Sequence, residues 1–216
     1  TLTGCEGPKT TITVTVSGTP SAPTVSDVSY CKDDVSTALT ATASSGNTLV
    51  WYDANQSELT SGAPTPSTVS VGTTTYYVAQ QTASGCEGSK STITVTVNAL
   101  PVAPSSTSSI EYCKDATATA LTATASGGHT LVWYGTDGTT VLSGAPTPST
   151  GSVGSTNYYV AQQNTTTGCE GAKTTITVTV NALPVAPTAT TTVDYCQDAT
   201  ATALTATASS GHTLVW

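Results

Sequence analysis

This 216-residue sequence predicts an all-β fold, a row of antiparallel β-sandwich modules of about seven short strands each. Three observations lead there. The chain repeats itself: Cys31, Cys113 and Cys196 stand 82 and 83 residues apart, and Cys5, Cys86 and Cys169 stand 81 and 83 apart. Threonine alternates with apolar residues in one segment after another, the period-two pattern of half-buried strands. No stretch carries a helical period.

Residues 1–18 read as the tail of a preceding module, with Ile12, Val14 and Val16 alternating with threonines after TGCEGPK. The same wording returns at Ser84–Val97 and Thr167–Val180. Each tail runs into a connector with two prolines: Ser17–Pro23, Asn98–Pro104 and Asn181–Pro187. Proline fixes φ and holds its predecessor extended, so these segments read as stiff spacers. The predicted modules are therefore 19–98 and 99–181, and 182–216 supplies the first strands of a third.

Within the first module a strand is expected between Thr24 and Tyr30, then a loop from Cys31 to Thr37. Next comes a hairpin of ALTATAS and TLVWY around a Ser-Gly-Asn turn, spanning Ala38–Tyr52. A turn-rich stretch from Glu58 to Pro66, a weak strand near Thr68–Val71, the strand Thr74–Gln81 and a last strand ending at Val97 complete it. Trp51, Trp133 and Trp216 each follow a cysteine by 20 residues amid alternating apolar positions, which makes them predicted core. The third copy owns only its first three strands and cannot bury Leu204, Leu214 and Trp216 alone, so the chain reads as an internal window of something longer.

Five lysines, no arginine and thirteen carboxylates give a formal charge of −8, which excludes a basic nucleic-acid surface. No apolar run reaches the length of a membrane span. Six cysteines in register, without a CxxC spacing or a nearby histidine, point to disulfides in an oxidising compartment. No Ser-His-Asp set, framed carboxylate pair or phosphate loop is legible, so no enzyme, catalytic residue or cofactor is expected. His129 and His212 replace Asn47 in a turn and read as turn residues.

The motifs YCKD, ALTATA, TLVWY, GAPTPST, YYVAQQ, GCEG and TITVTVNALPVAP together resemble the tandem immunoglobulin-like repeats of very large secreted surface proteins of Bacteroidota. That group includes gliding adhesins and other proteins exported by the type IX route. The resemblance covers the whole chain and implies a non-catalytic extracellular stalk or adhesin segment at the cell surface. Its expected partners are neighbouring modules, surface glycans or other cells. A carbohydrate-binding array and accessory modules of a secreted hydrolase are the alternatives.

Tyr77 and Tyr159, each the outward member of a tyrosine pair, are the candidates for glycan contact. Asp33, Asp115 and Asp198, together with Glu6, Glu87 and Glu170, flank the cysteines, but two carboxylates fall short of the oxygens calcium takes, so no metal is expected. For the disulfides two pairings stay open. One bond within each module, Cys31 to Cys86 and Cys113 to Cys169, is the expected arrangement, with Cys5 and Cys196 paired outside the chain. The other joins Cys31 to Cys169 across stacked modules, because the two cysteine loops of an immunoglobulin order lie at opposite ends of the sandwich.

Overall fold

The computed structural model describes residues 4–216, so the first three residues of the predicted tail 1–18 lie outside it. The chain divides into one compact unit ending at Leu100 and another beginning at Pro101. All sixteen elements among the described residues are strands.

The first unit holds β1 (Thr24–Val25), β2 (Val28–Cys31), β3 (Ala41–Thr42), β4 (Thr48–Tyr52), β5 (Glu58–Leu59), β6 (Gly72–Gln81) and β7 (Ser91–Asn98). A five-stranded sheet runs β2-β7-β6-β4-β5, and β1 with β3 makes the second, two-stranded sheet. Between them lie Leu39, Trp51, Val78, Ile93 and Val95, with Val25, Leu49 and Tyr76 packed alongside. Alternation explains the membership: Tyr76, Val78 and Gln80 share one face of β6, and Ile93, Val95 and Val97 share one face of β7.

Three sequence expectations change here. The predicted Ala38–Tyr52 hairpin is not a paired hairpin, because β3 pairs with β1 while β4 pairs with β5 and β6. The chain crosses from one sheet to the other at the Ser44–Asn47 turn, closed by Asn47 N–H donating to Ser44 O at 3.1 Å. The expected strand Thr24–Tyr30 is broken in the same way. Its first half joins β3, its second half runs parallel to β7, and the Asp27 carboxylate accepts the Thr94 N–H at 2.7 Å beside the break. The sandwich is therefore mixed, with one parallel pair in an otherwise antiparallel set.

The weak strand near Thr68–Val71 is absent. Residues 64–68 instead run against 33–39: Leu39 N–H donates to Pro64 O, Ser36 Oγ to Pro66 O, Asp33 N–H to Thr68 O, and Thr68 Oγ1 to Asp34 O. Pro64 and Pro66 have no N–H to return, which leaves a one-sided ladder in place of a strand.

The second unit repeats this plan with β8 (Ser105–Ser106), β9 (Ser109–Cys113), β10 (Ala123–Thr124), β11 (His129–Tyr134), β12 (Val141–Leu142), β13 (Gly154–Asn164) and β14 (Thr174–Asn181). Its sheets are β12-β11-β13-β14-β9 and β10-β8, around Leu121, Trp133, Val160, Ile176 and Val178. Beyond it, β15 (Thr188–Ala189) and β16 (Ala206–Thr207) pair with each other. Trp216, predicted as core from its repeat position, is 78% exposed, because residues 182–216 contain no counterpart of β6 or β7 to cover it. Residues 4–18 carry the wording of β7 without the β2 and β6 partners it pairs with in the first module, so they form no strand, and Ile12, Val14 and Val16 lie open.

Candidate functional site

The part of each module richest in specific side-chain chemistry is the Gly-Cys-Glu-Gly turn between its two longest strands. In the first module, Thr82 N–H donates to Cys86 O, Gly85 N–H to Thr82 O and Gly88 N–H to Gln80 O, each at 2.9 to 3.0 Å. Gly85 sits at φ 84 and its counterpart Gly168 at φ 73, conformations that a side chain disfavours. The second glycine of the motif meets a different demand. A Cβ on Gly88 would lie 2.1 Å from Pro20 O, and one on Gly171 would lie 2.1 Å from Pro101 O.

The proline connector is thus held by the module that follows it. Gln80, 1% exposed, donates from Nε2 to Ser21 O at 3.1 Å while its Oε1 accepts Ser44 N–H at 2.6 Å and Asn47 Nδ2 at 3.1 Å. Ser91 Oγ donates to Pro23 O. The second module repeats the set: Gln162 Nε2 donates to Val102 O at 2.7 Å, its Oε1 accepts Ser126 N–H at 2.8 Å, and Thr174 Oγ1 donates to Pro104 O at 2.7 Å. A buried amide that satisfies the backbone on both sides ties sheet crossing, connector and turn into one network. Sequence reading missed both glutamines, although alternation along YYVAQQ places Gln80 on the face of Tyr76 and Val78.

On the opposite face, Tyr52 stands across from Tyr77 and Tyr134 across from Tyr159. Lys90 Nζ lies 3.4 Å from the centroid of the Tyr52 ring, and Lys173 Nζ lies 3.5 Å from that of Tyr134. The Tyr134 hydroxyl donates to Glu170 Oε1. Burial and then Glu170 push the Tyr134 hydroxyl up to about 12. Burial, then hydrogen bonding to Glu87, then the charges of Glu87 and Glu58 push Tyr52 up in the same direction.

Lys173 Nζ also donates to Gly138 O at 2.6 Å, and Gly138 packs against the Tyr159 ring, where an added Cβ would sit 3.3 Å from Cε2. The glycan candidates Tyr77 and Tyr159 are accordingly half-buried, and in the second module the ring is partly occupied by the module's own loop. His129 Nδ1 lies 2.9 Å from Gly127 O in the turn.

Cys31 and Cys169 are disulfide-bonded, whereas Cys86 and Cys113 carry free thiols. This overturns the expected bonds from Cys31 to Cys86 and from Cys113 to Cys169. Geometry within each module supplies the reason. Cys31 pairs in register with Asn98 at the end of β7, and Cys86 lies before β7 begins, so roughly 23 Å of strand separates them. A disulfide needs Cα atoms within about 7 Å. Cys113 opposite Asn181 and Cys169 before Thr174 repeat the separation. Within the first module Asp33 (φ 66) stands at the Cys31 end, away from Glu87, and within the second Asp115 (φ 63) stands at the Cys113 end, away from Glu170, each paired to its neighbouring lysine. Among the described residues no three or more His, Cys, Asp or Glu side chains gather to hold a metal.

Residues 20–99 and 101–182 each match the Ig-like domain described as CHU_C associated. The chain belongs to this family of Ig-like domains. No curated protein matches it. Among solved structures, the Ig-like pair is similar to the fibronectin(III)-like modules of Clostridium thermocellum CbhA, at 16% identity and a TM-score of 0.41 over 73% of this chain and 91% of that one. It is also similar to Bacteroides ovatus SGBP-B in complex with a mixed-linkage heptasaccharide, at 17% identity and 0.25 over 71% and 42%. A third likeness is to the titin domains z1z2 in complex with telethonin, at 15% identity and 0.30 over 74% and 97%.

Proposed function

We propose that these Ig-like modules are a structural repeat segment of an extracellular stalk, fibre or adhesin that spaces a binding tip from a cell surface. The resemblance to secreted surface proteins of Bacteroidota agrees with this reading, and disulfide-bonded cysteines fit an oxidising compartment. The observation that carries it is the docked connector. Both modules clamp the proline segment in front of them with the same three contacts, through Gly88, Gln80 and Ser91 in one and Gly171, Gln162 and Thr174 in the other. Only Ala99 and Leu100 then separate the last strand of the first module from the docked Pro101. A spacer benefits from that economy, because each free linker residue adds conformational freedom that shortens the mean reach.

Partners in this reading are further Ig-like modules, and catalysis has no part in it. The outward tyrosines favour the stalk over a glycan-binding array, since Tyr159 is engaged by Gly138 and lies beside the Lys173–Tyr134 pair. Small-angle scattering on the whole chain is expected to give an elongated particle, and dimensions of a compact globule would overturn the spacer role. A glycan array in which specific binding disappears in Tyr77→Ala and Tyr159→Ala variants would move the assignment to carbohydrate recognition.

A further inference from the structure

We propose that Asn55, in the turn that joins β4 to β5, is the acceptor of an N-linked glycan, transferred by an oligosaccharyltransferase from a polyisoprenyl-diphosphate oligosaccharide. Such transfer takes place outside the cytoplasm and in that respect rests on the extracellular reading above, but it is independent of the spacer role. Asn55 and Asn164 are the asparagines of this chain that are followed two residues later by Ser or Thr with no proline between, the pattern these transferases accept. The fold treats the two differently.

Around Asn55 the backbone of Asp53–Ser57 is satisfied from within. Asp53 N–H donates to Ser57 O at 2.9 Å, Gln56 N–H donates to Asp53 O at 3.0 Å, and Asp53 Oδ1 accepts the N–H groups of Asn55 at 2.9 Å and Ser57 at 2.8 Å. What remains over is the pair of side chains that a transferase must read. Asn55 and Ser57 are both exposed, and among the described residues neither the Asn55 amide nor the Ser57 hydroxyl holds a hydrogen bond. Modification therefore displaces no contact. Because β5 is the outer strand of its sheet, a glycan at the turn leading into it would also cover an edge open to pairing with other chains.

Within the second module Asn164 is the last residue of β13, half-buried and opposite His129. Its Oδ1 accepts the N–H groups of Thr166 at 2.9 Å and Thr167 at 3.0 Å, while Thr165 donates both its N–H and its Oγ1 to Gly128 O. To present its amide, Asn164 would have to leave that turn. The structure thus selects Asn55.

In the transfer the Asn55 Nδ2 attacks the anomeric carbon of the oligosaccharide. A carbon–nitrogen bond forms, the bond from that carbon to the diphosphate oxygen breaks, the polyisoprenyl diphosphate leaves with the electron pair, and the amide gives up one proton. Nothing is oxidised or reduced.

The test uses the folded whole chain, incubated with a bacterial single-subunit oligosaccharyltransferase and a lipid-linked oligosaccharide and then cleaved after lysine. Peptide 33–90 should carry one glycan and peptide 115–173 none. Asn55→Gln and Ser57→Ala should abolish the transfer, and Ser57→Thr should retain it. A synthetic peptide of residues 50–60 in the same reaction separates two ways of failing. Transfer to the peptide but not to the folded chain would mean that the turn is closed to the transferase, and transfer to neither would mean that the motif is not read. Either result, or a glycan that persists in Asn55→Gln, overturns the proposal and leaves the scattering test of the spacer role untouched.

Discussion

Gly171 lies against the carbonyl of Pro101 so closely that a Cβ at this glycine would stand 2.1 Å from the oxygen. The neighbour is backbone, so it cannot swing aside as a side chain would. Gly171→Ala should therefore push the connector off the turn and destabilise the second module by about 1–3 kcal/mol. Gly127→Ala, where a Cβ meets nothing within 4 Å, should be near neutral. Denaturant unfolding of both variants checks this, and equal stabilities would refute the clamp.

Gln162 is the second member of that clamp. Replacing it with Ala removes the buried partner of the Ser126 N–H and the Val102 carbonyl, which water can reach in part, so the two losses together should cost about 1–3 kcal/mol. Amide exchange should accelerate at Ser126 together with the loss of global stability. A Gln162→Ala module with parent-like exchange there would show that the network contributes little.

Trp133 is buried beneath the second module's sheet and stands opposite Val160. Truncation to Ala removes that packing and should cost about 3–5 kcal/mol, comparable with the whole stability of a module this size. Loss of the cooperative unfolding step for this module is the expected outcome. The matching change at Trp216, which is 78% exposed, should leave the unfolding of residues 101–181 unaltered.

Tyr134 sets an alkaline limit. Its folded-state hydroxyl is pushed up to about 12 from an ordinary value of 10, so folding favours the neutral phenol. That contribution is complete below pH 10 and is lost as pH rises from 10 through 12. Tyr52 shifts the same way and adds to the loss. Spectrophotometric titration should show two late-ionising tyrosines, and Tyr134→Phe should remove one of them and flatten the stability decline in that window.

Much of this architecture was legible residue by residue. Alternation in TITVTV and YYVAQQ assigns Ile93, Val95 and Val78 to one buried face, because a strand turns successive side chains to opposite sides wherever it is placed. The repeat itself separated the two modules, and the wording placed Trp51 and Trp133 in their cores. Periodicity names a face, but it carries no information about which edge a strand joins. Only the tertiary structure decided that β3 and β4 part company across the Ser44–Asn47 turn and that β2 runs parallel to β7. That parallel pairing puts Cys31 beside Asn98, a full strand length from Cys86, and so removes the disulfide that sequence proximity favoured. Gln80 and Gln162 were hidden for a related reason: a polar residue on an apolar face is stable only when partners distant in sequence come to meet it, and those partners, Ser21 with Ser44 and Val102 with Ser126, are assembled by the fold.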